Sequence, residues 1–232
     1  MNKRVKSLNN SMTVKLEDLL QYDPLTTNQE TAFVSWNDGD NLVLTGSAGT
    51  GKTFIALYLA LEEVLEAQFY EKLVIVRSMV PTRDMGFLPG TKEEKEEAFT
   101  SPYKNICHEL FGDKSSYNKM LNSGQISFDS TSFIRGTTYD NSVIVVDEMQ
   151  NLNFHELDSV ITRVGKNSKI IFCGDYKQSD FKFDDEKNGI MKFLQIVEQL
   201  RNFTIVNFGW EDIVRSDFVR DYIMTKERLT DT

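Results

Sequence analysis

The sequence contains few of the side chains from which zinc sites and disulfide frameworks are built. Among its 232 residues are two cysteines, Cys107 and Cys173, and two histidines, His108 and His155, with no cluster of zinc-ligand spacing. Cys173 lies in the apolar run "KIIFCGD", which favours a buried free thiol over a redox-active one. We therefore expect neither a zinc site nor a disulfide framework.

The chain also lacks long apolar segments and an excess of positive charge. No run approaches the roughly 18 consecutive apolar residues of a membrane span, so we expect none. The first residues, "MNKRVKSLNNSMTVKLEDLL", contain no apolar core of the kind found in signal peptides, which favours the cytoplasm. The formal net charge of −9 disfavours a broad nucleic-acid footprint, so binding to a strand would require a local basic surface.

Apolar runs alternate with helical patterns along the chain. The apolar runs are continuous and rich in β-branched residues, as in strands covered on both faces. They span residues 42–45, 72–77, 142–148, 169–175 and 203–208, and helical patterns span residues 27–37, 54–69, 153–164 and 189–200. We predict one α/β domain with a mostly parallel sheet over residues 23–232, after a tail over residues 1–22 and with an insertion at about 78–132.

The stretch "TGSAGTGKT" joins the first predicted strand to a helix and fits the phosphate-loop pattern G-x-x-x-x-G-K-[ST]. Its glycines let successive backbone N–H groups converge on a phosphate, and the N-terminus of the following helix adds partial positive charge. Lys52 would bridge the β- and γ-phosphates of ATP, and the Thr53 hydroxyl would bind Mg²⁺. The predicted phosphate-binding residues are Gly46, Ser47, Ala48, Gly49, Thr50, Gly51, Lys52 and Thr53.

Two acids follow another apolar strand in "VIVVDEMQ". Asp147 ends the predicted strand, which we expect beside the strand of the phosphate loop, and is placed to hold Mg²⁺ from the outer sphere. Glu148 comes next and is placed to take a proton from an attacking water. A strand-end acidic pair can also mark a simple turn or a helix N-terminus, but the phosphate loop favours the catalytic interpretation.

Three glutamines are further candidates for nucleotide contacts. Gln150 lies two residues beyond Glu148, and "GDYKQSD" places Gln178 after another strand. An amide at a strand end can orient a water and contact the γ-phosphate, although each glutamine alone is more typical of a polar surface. Gln29 precedes the phosphate loop, where its amide could read the adenine edge.

Together these motifs resemble those of known nucleic-acid motors. The set "TNQ", "GSAGTGKT", "VDEMQ" and "GDYKQSD" is similar to the first motor domain of superfamily 1 helicases. The stretches "VIVRSMVPTRDMGFLPG", "ITRVG" and "IVRS" look more closely like the PhoH family of phosphate-starvation-inducible ATPases, which occurs in bacteria and their phages. The likeness covers roughly residues 25 to 225.

The resemblance implies a RecA-like ATPase core, a helicase-related or RNA-linked role, and a ring oligomer. Lys52, Asp147 and Glu148 match the family's phosphate and acid motifs. Gln178 matches the sensor of the γ-phosphate, and Arg215 in "DIVRSDFV" resembles an arginine that reaches a neighbouring subunit's nucleotide.

The sequence departs from the family pattern at two places. Ser78 follows Arg77 where the family usually has proline, which leaves the local turn open. In "IRGTT" (134–138) one basic residue of the family pattern is missing, which would weaken RNA binding if that arginine contributes to it.

The length leaves room for one motor domain, so the arginine that stabilises charge on the transferred phosphoryl group would come from another subunit or be absent. We therefore expect a homo-oligomeric ring, with a hexamer as one candidate. Arg163 and Arg135 are alternatives to Arg215. The expected function is Mg²⁺-dependent ATP hydrolysis coupled to RNA or single-stranded DNA. A small-molecule kinase and a nucleotide-dependent regulatory module remain as alternatives.

Overall fold

The computed structural model describes residues 13–78, 92–131, 134, 136–175 and 184–230. The helices are α1 (Thr27–Asn37), α2 (Lys52–Glu66), α3 (Lys92–Phe111), α4 (Ser116–Asn122), α5 (Phe154–Ile161), α6 (Asp184–Val197) and α7 (Asp217–Thr230). The strands are β1 (Asn41–Gly46), β2 (Lys72–Arg77), β3 (Ile126–Ser130), β4 (Ser142–Val146), β5 (Lys169–Cys173) and β6 (Phe203–Phe208). None of these helices is long and apolar enough to cross a membrane, and the expected cytoplasmic location stays a prediction.

The strands form one six-stranded sheet in the order β3-β2-β4-β5-β1-β6, and every pairing in it is parallel. The predicted α/β class with a parallel sheet is therefore confirmed. Because parallel strands all end at the same edge, the residues that follow β1, β4 and β5 meet there. β5 lies between β1 and β4, so the expectation that the acids follow a strand next to β1 was wrong by one strand.

Both faces of the sheet are covered by helices, which explains the uninterrupted apolar strands. Successive strand residues point to opposite faces. Leu42 and Leu44 of β1 join the core formed with α1, α2 and part of α3. Val43, between them, joins the second core, which includes α5 and α6. Cys173 is buried and free, as predicted, and Cys107 is also buried and free.

The sequence did not indicate all of these elements, and β3 and α7 are two that it missed. β3 lies in the predicted insertion and pairs with β2, so it forms an edge of the main sheet. Helix α7 follows the last strand and leaves large apolar side chains in solvent, with Phe218 81% and Tyr222 64% exposed. The division of the chain into tail, domain and insertion stays a prediction.

Candidate nucleotide site

The phosphate loop runs from the end of β1 to the start of α2. Gly46, Gly49 and Gly51 have φ angles of 112°, 74° and 84°, a region that favours glycine. At Gly46 the space is also closed, because a Cβ atom there would lie 2.0 Å from the backbone oxygen of Phe208. These glycines therefore bend the chain between strand and helix and bring α2's first N–H groups to the edge of the sheet, as predicted.

The ammonium of Lys52 lies within the curve of the loop. It donates to the backbone oxygens of Gly46 at 2.8 Å and Ser47 at 2.7 Å. Burial lowers the pKa of Lys52, while the charges of Asp175 and Glu148 oppose that shift. The acids at the sheet edge therefore help to keep the half-buried ammonium charged where a triphosphate would bind.

Thr53 and Asp147 meet, as the motifs predicted, although β5 separates their strands. Helix α2 packs across β5 and β4, and its Thr53 hydroxyl donates to Oδ1 of Asp147 at 2.8 Å. Asp147 is 4% exposed. A hydroxyl and a carboxylate oxygen in contact are the hard donors that Mg²⁺ prefers, so this pair fits the predicted metal site. No group of three or more His, Cys, Asp or Glu with metal-binding geometry occurs in the described ranges.

A tyrosine that the sequence did not single out completes the environment of Asp147. The Tyr103 hydroxyl, on α3, donates to the second oxygen, Oδ2, at 2.9 Å. Burial, and then the charge of Asp147, raise the pKa of Tyr103 well above its ordinary value, so the hydroxyl keeps the proton that it donates. The guanidinium of Arg77, at the end of β2, interacts electrostatically with Tyr103 and both acids.

Glu148 adopts an unusual backbone conformation at the same edge. Its φ and ψ of 54° and 44° are left-handed, which is uncommon for a residue other than glycine and occurs often at functional sites. Burial, and then repulsion from Asp147, raise the pKa of Glu148. A raised pKa makes a carboxylate a better proton acceptor, which suits a general base.

Gln150 connects Glu148 to the end of β5. Its amide nitrogen donates to Oε2 of Glu148, and its amide oxygen accepts from the backbone N–H of Asp175 at 3.1 Å. A side chain at Gly174 would lie 2.4 Å from that amide oxygen. Gln150, which the sequence offered as a water-orienting amide, therefore holds the carboxylate of Glu148 in place.

A cavity of about 520 Å³ opens beside the phosphate loop. The loop and both acids line it together with Gln150, Asp175 and the aromatic residues Tyr22, Phe33, Phe54 and Tyr58. This volume lies in the range of small-molecule sites. Among these aromatic residues, the ring of Tyr22 contacts the rings of Phe54 and Tyr58, and the ring of Phe33 stacks on that of Tyr58.

Gln29 lines the cavity and joins α1 to the phosphate loop. Its amide oxygen accepts from the Leu25 N–H at 2.8 Å, and its amide nitrogen donates to the Thr50 carbonyl at 3.2 Å. The Gln29 amide has two N–H donors and two acceptor lone pairs, and these two contacts use one of each. A role in reading the adenine edge therefore stays a prediction.

Arg215 also lines the cavity, in its own chain. It packs so closely on the loop that a Cβ at Gly49 would lie 3.1 Å from its Cγ, and the preceding Val214 N–H donates to the Gly49 carbonyl at 3.1 Å. This position differs from the cross-subunit contact that the resemblance implies, and the role of Arg215 stays a prediction. The alternative Arg163 is not among the described residues that line the cavity.

The last helix makes a further contact that the sequence did not indicate. Glu227 of α7 accepts from the Ser47 hydroxyl at 2.9 Å and from the Trp210 indole N–H at 2.6 Å. Helix α7 thereby contacts the phosphate loop from the end of the described chain.

The family to which the chain belongs follows from comparison with known proteins. The model of the family described as "PhoH-like protein" matches residues 21–226. The chain belongs to the PhoH-like family. The resemblance that the motifs suggested is thereby confirmed over most of the sequence.

Among relatives of this PhoH-like chain, protein PhoH2 of Bacillus subtilis is 34% identical over 202 residues, which cover 85% of the chain and 42% of that protein. Protein PhoH of Escherichia coli is 31% identical over 174 residues, which cover 74% of the chain and 49% of that protein. The chain thus spans about half the length of these curated relatives.

Among solved structures, the large terminase of a thermophilic bacteriophage in complex with ADP is similar to the PhoH-like chain with a TM-score of 0.50. Sequence identity is 13%, and the match covers 86% of this chain and 49% of the terminase chain. At this identity the likeness shows the fold alone, which is the predicted RecA-like P-loop fold. Gln178 and Arg135 lie outside the described residues, so their roles stay predictions.

Proposed function

We propose that the protein hydrolyses ATP at this site, with Mg²⁺, and that RNA or single-stranded DNA stimulates the reaction. The observation that supports the proposal most strongly is the hydrogen bond from Thr53 to Asp147 beside the half-buried Lys52 ammonium. A phosphate loop and a strand-end acid in contact are the arrangement that binds a metal-bound triphosphate.

Each residue has a distinct task in this proposal. The backbone of the loop and Lys52 bind the β- and γ-phosphates, and Thr53 and Asp147 hold Mg²⁺. When bound, Mg²⁺ neutralises charge on the phosphate oxygens. Glu148 takes a proton from water as the water oxygen bonds to the γ-phosphorus. The bond from that phosphorus to the bridging oxygen breaks, and its electron pair stays on ADP. ADP and phosphate leave, and Glu148 releases its proton to solvent.

Arg215 and Gln178 are proposed to act on the γ-phosphate. The contact of Arg215 with Gly49 supports a role at the nucleotide of its own chain, and the family resemblance supports a role across a ring. Whether it acts in its own chain or across a ring, Arg215 brings a positive charge to the transferred phosphoryl group. Such an arginine typically raises the rate by about 10³–10⁵-fold. The homo-oligomeric ring is part of this proposal.

The order of the two acids favours water over a metabolite as the acceptor. Glu148 directly follows Asp147, and Gln150 holds its carboxylate beside the metal-binding acid. A small-molecule kinase needs a second pocket for its acceptor at that place. The proposed reaction is therefore hydrolysis.

The coupling to nucleic acid is tested by phosphate release with and without single-stranded RNA or DNA. We expect either strand to raise the steady-state rate several-fold, and the stimulation to fall as salt is added, because phosphate contacts release counterions. The Lys52→Ala variant is the negative control in every reaction. An ATPase rate that no strand changes would contradict the coupling and favour the regulatory module. Transfer of the γ-phosphate to a metabolite would favour the kinase.

A further inference from the structure

Both oxygens of the Asp147 carboxylate are held, and they are held by different parts of the fold. Thr53, at the start of α2, donates to Oδ1 at 2.8 Å, and Tyr103, on α3, donates to Oδ2 at 2.9 Å. Tyr103 is fully buried, with 0% of its side chain exposed. The Thr53 contact belongs to the phosphate loop, whereas the Tyr103 contact comes from a helix within the predicted insertion.

The position of the Tyr103 hydroxyl is fixed by packing that does not involve the phosphate loop. Cys107 and Leu110, on the same face of α3, are also fully buried in the core. The ring of Phe128, on β3, lies 6.0 Å from the Tyr103 ring between centroids. One turn earlier on α3, the ring of Phe99 lies 5.8 Å from the guanidinium carbon of Arg77. The hydroxyl is therefore a rigid donor.

A carboxylate with one anchor can rotate about its Cβ–Cγ bond, whereas one with two anchors cannot. We propose that Tyr103 is a positioning residue that fixes the orientation of Asp147 for the Mg²⁺–nucleotide complex. The inference rests on the proposed function, because it concerns the metal of that same site. Groups that orient metal-binding side chains in this way typically change metal affinity by about 10–100-fold when they are removed.

The variant Tyr103→Phe tests this role because it removes the hydroxyl and keeps the buried ring. ADP binding is measured by calorimetry in EDTA and then at increasing free Mg²⁺. We expect the half-saturating Mg²⁺ concentration to rise about tenfold, as for the loss of other groups that orient metal ligands. The affinity for metal-free ADP should not change, because the phosphate loop is intact.

Tyr139→Phe is the matched control. Tyr139 is also buried, at 2% exposed, and its hydroxyl also donates to an aspartate, Asp129, at 2.8 Å. It does not line the nucleotide cavity among the described residues. We expect this variant to bind ADP with and without Mg²⁺ as the wild-type protein does. Comparison of the two variants separates an effect specific to Asp147 from the general effect of losing a buried tyrosine–aspartate hydrogen bond.

A double-mutant cycle with Asp147→Asn shows whether Tyr103 acts through Asp147. In that background, Tyr103→Phe should have little further effect on the Mg²⁺ dependence. The role is overturned if ADP binding by Tyr103→Phe has the same Mg²⁺ dependence as in the wild type. It is also overturned if the variant's affinity for metal-free ADP falls by the same factor, or if the effect of Tyr103→Phe persists in the Asp147→Asn background. Wild-type protein that binds no ADP at any Mg²⁺ concentration would overturn the proposed function itself, and this role with it.

Discussion

Replacement of Glu148 by glutamine is expected to lower the steady-state ATPase rate by about 10²–10⁴, the usual contribution of a general base. The amide has almost the same shape as the carboxylate but cannot accept the proton of the attacking water. ATP binding should be nearly unchanged, because Lys52 and the loop backbone supply the phosphate contacts. The two quantities are measured by phosphate release and by calorimetry on the same preparation.

The matched control for this variant is Glu198→Gln, which makes the same chemical change at an exposed position beyond α6. It should hydrolyse ATP at the wild-type rate. A Glu148→Gln protein with an unchanged rate contradicts the assignment of the base. A variant that loses ATP binding and turnover together shows that Glu148 supports the site's structure instead.

Replacement of Arg215 by alanine is expected to lower turnover by about 10³ or more, because an arginine on the transferred phosphoryl group has that effect in related mechanisms. Arg215 lines the cavity and its Cγ packs against Gly49, so its side chain borders the proposed nucleotide site of the same chain. ATP affinity should change little. Arg220→Ala, which removes an exposed arginine from α7, is the control and should keep the wild-type rate.

Mixing the two inactive variants distinguishes an arginine that acts within its chain from one that acts across an interface. A Glu148→Gln subunit retains Arg215, and an Arg215→Ala subunit retains Glu148. If the arginine acts across an interface, mixed oligomers regain activity. If it acts within its own chain, mixtures stay inactive. An Arg215→Ala protein as active as Arg220→Ala contradicts both forms of the role.

The phosphate loop and the acids could be predicted from the sequence because local chemistry determines them. Gly46, Lys52 and Thr53 lie within one loop, and the spacing of glycines and the cation is itself the signal. Asp147 could be placed at the same edge because the carboxyl ends of parallel strands meet there. The order of the strands could not be predicted, since no periodicity in a strand reports which neighbour it pairs with.

Tyr103 could not be recognised because its surroundings are typical of the core. In "SPYKNICHEL", an aromatic residue at helical spacing from Cys107 and Leu110 predicts packing, and it does pack. The contact across 44 positions, from its hydroxyl to Asp147, distinguishes it from a core tyrosine. Helix α7 was missed for a different reason. Its apolar residues, such as Phe218, are largely exposed, whereas Tyr103 is buried in the core.

Calorimetric titration of the wild-type protein with ATP in the presence of Mg²⁺, beside the Lys52→Ala variant, determines whether the phosphate loop binds a triphosphate. We expect saturable binding of one nucleotide per chain by the wild type and loss of that binding when the Lys52 ammonium is removed. Wild-type protein that takes up no ATP, or a Lys52→Ala protein that binds it equally well, would show that the loop between β1 and α2 does not hold a triphosphate.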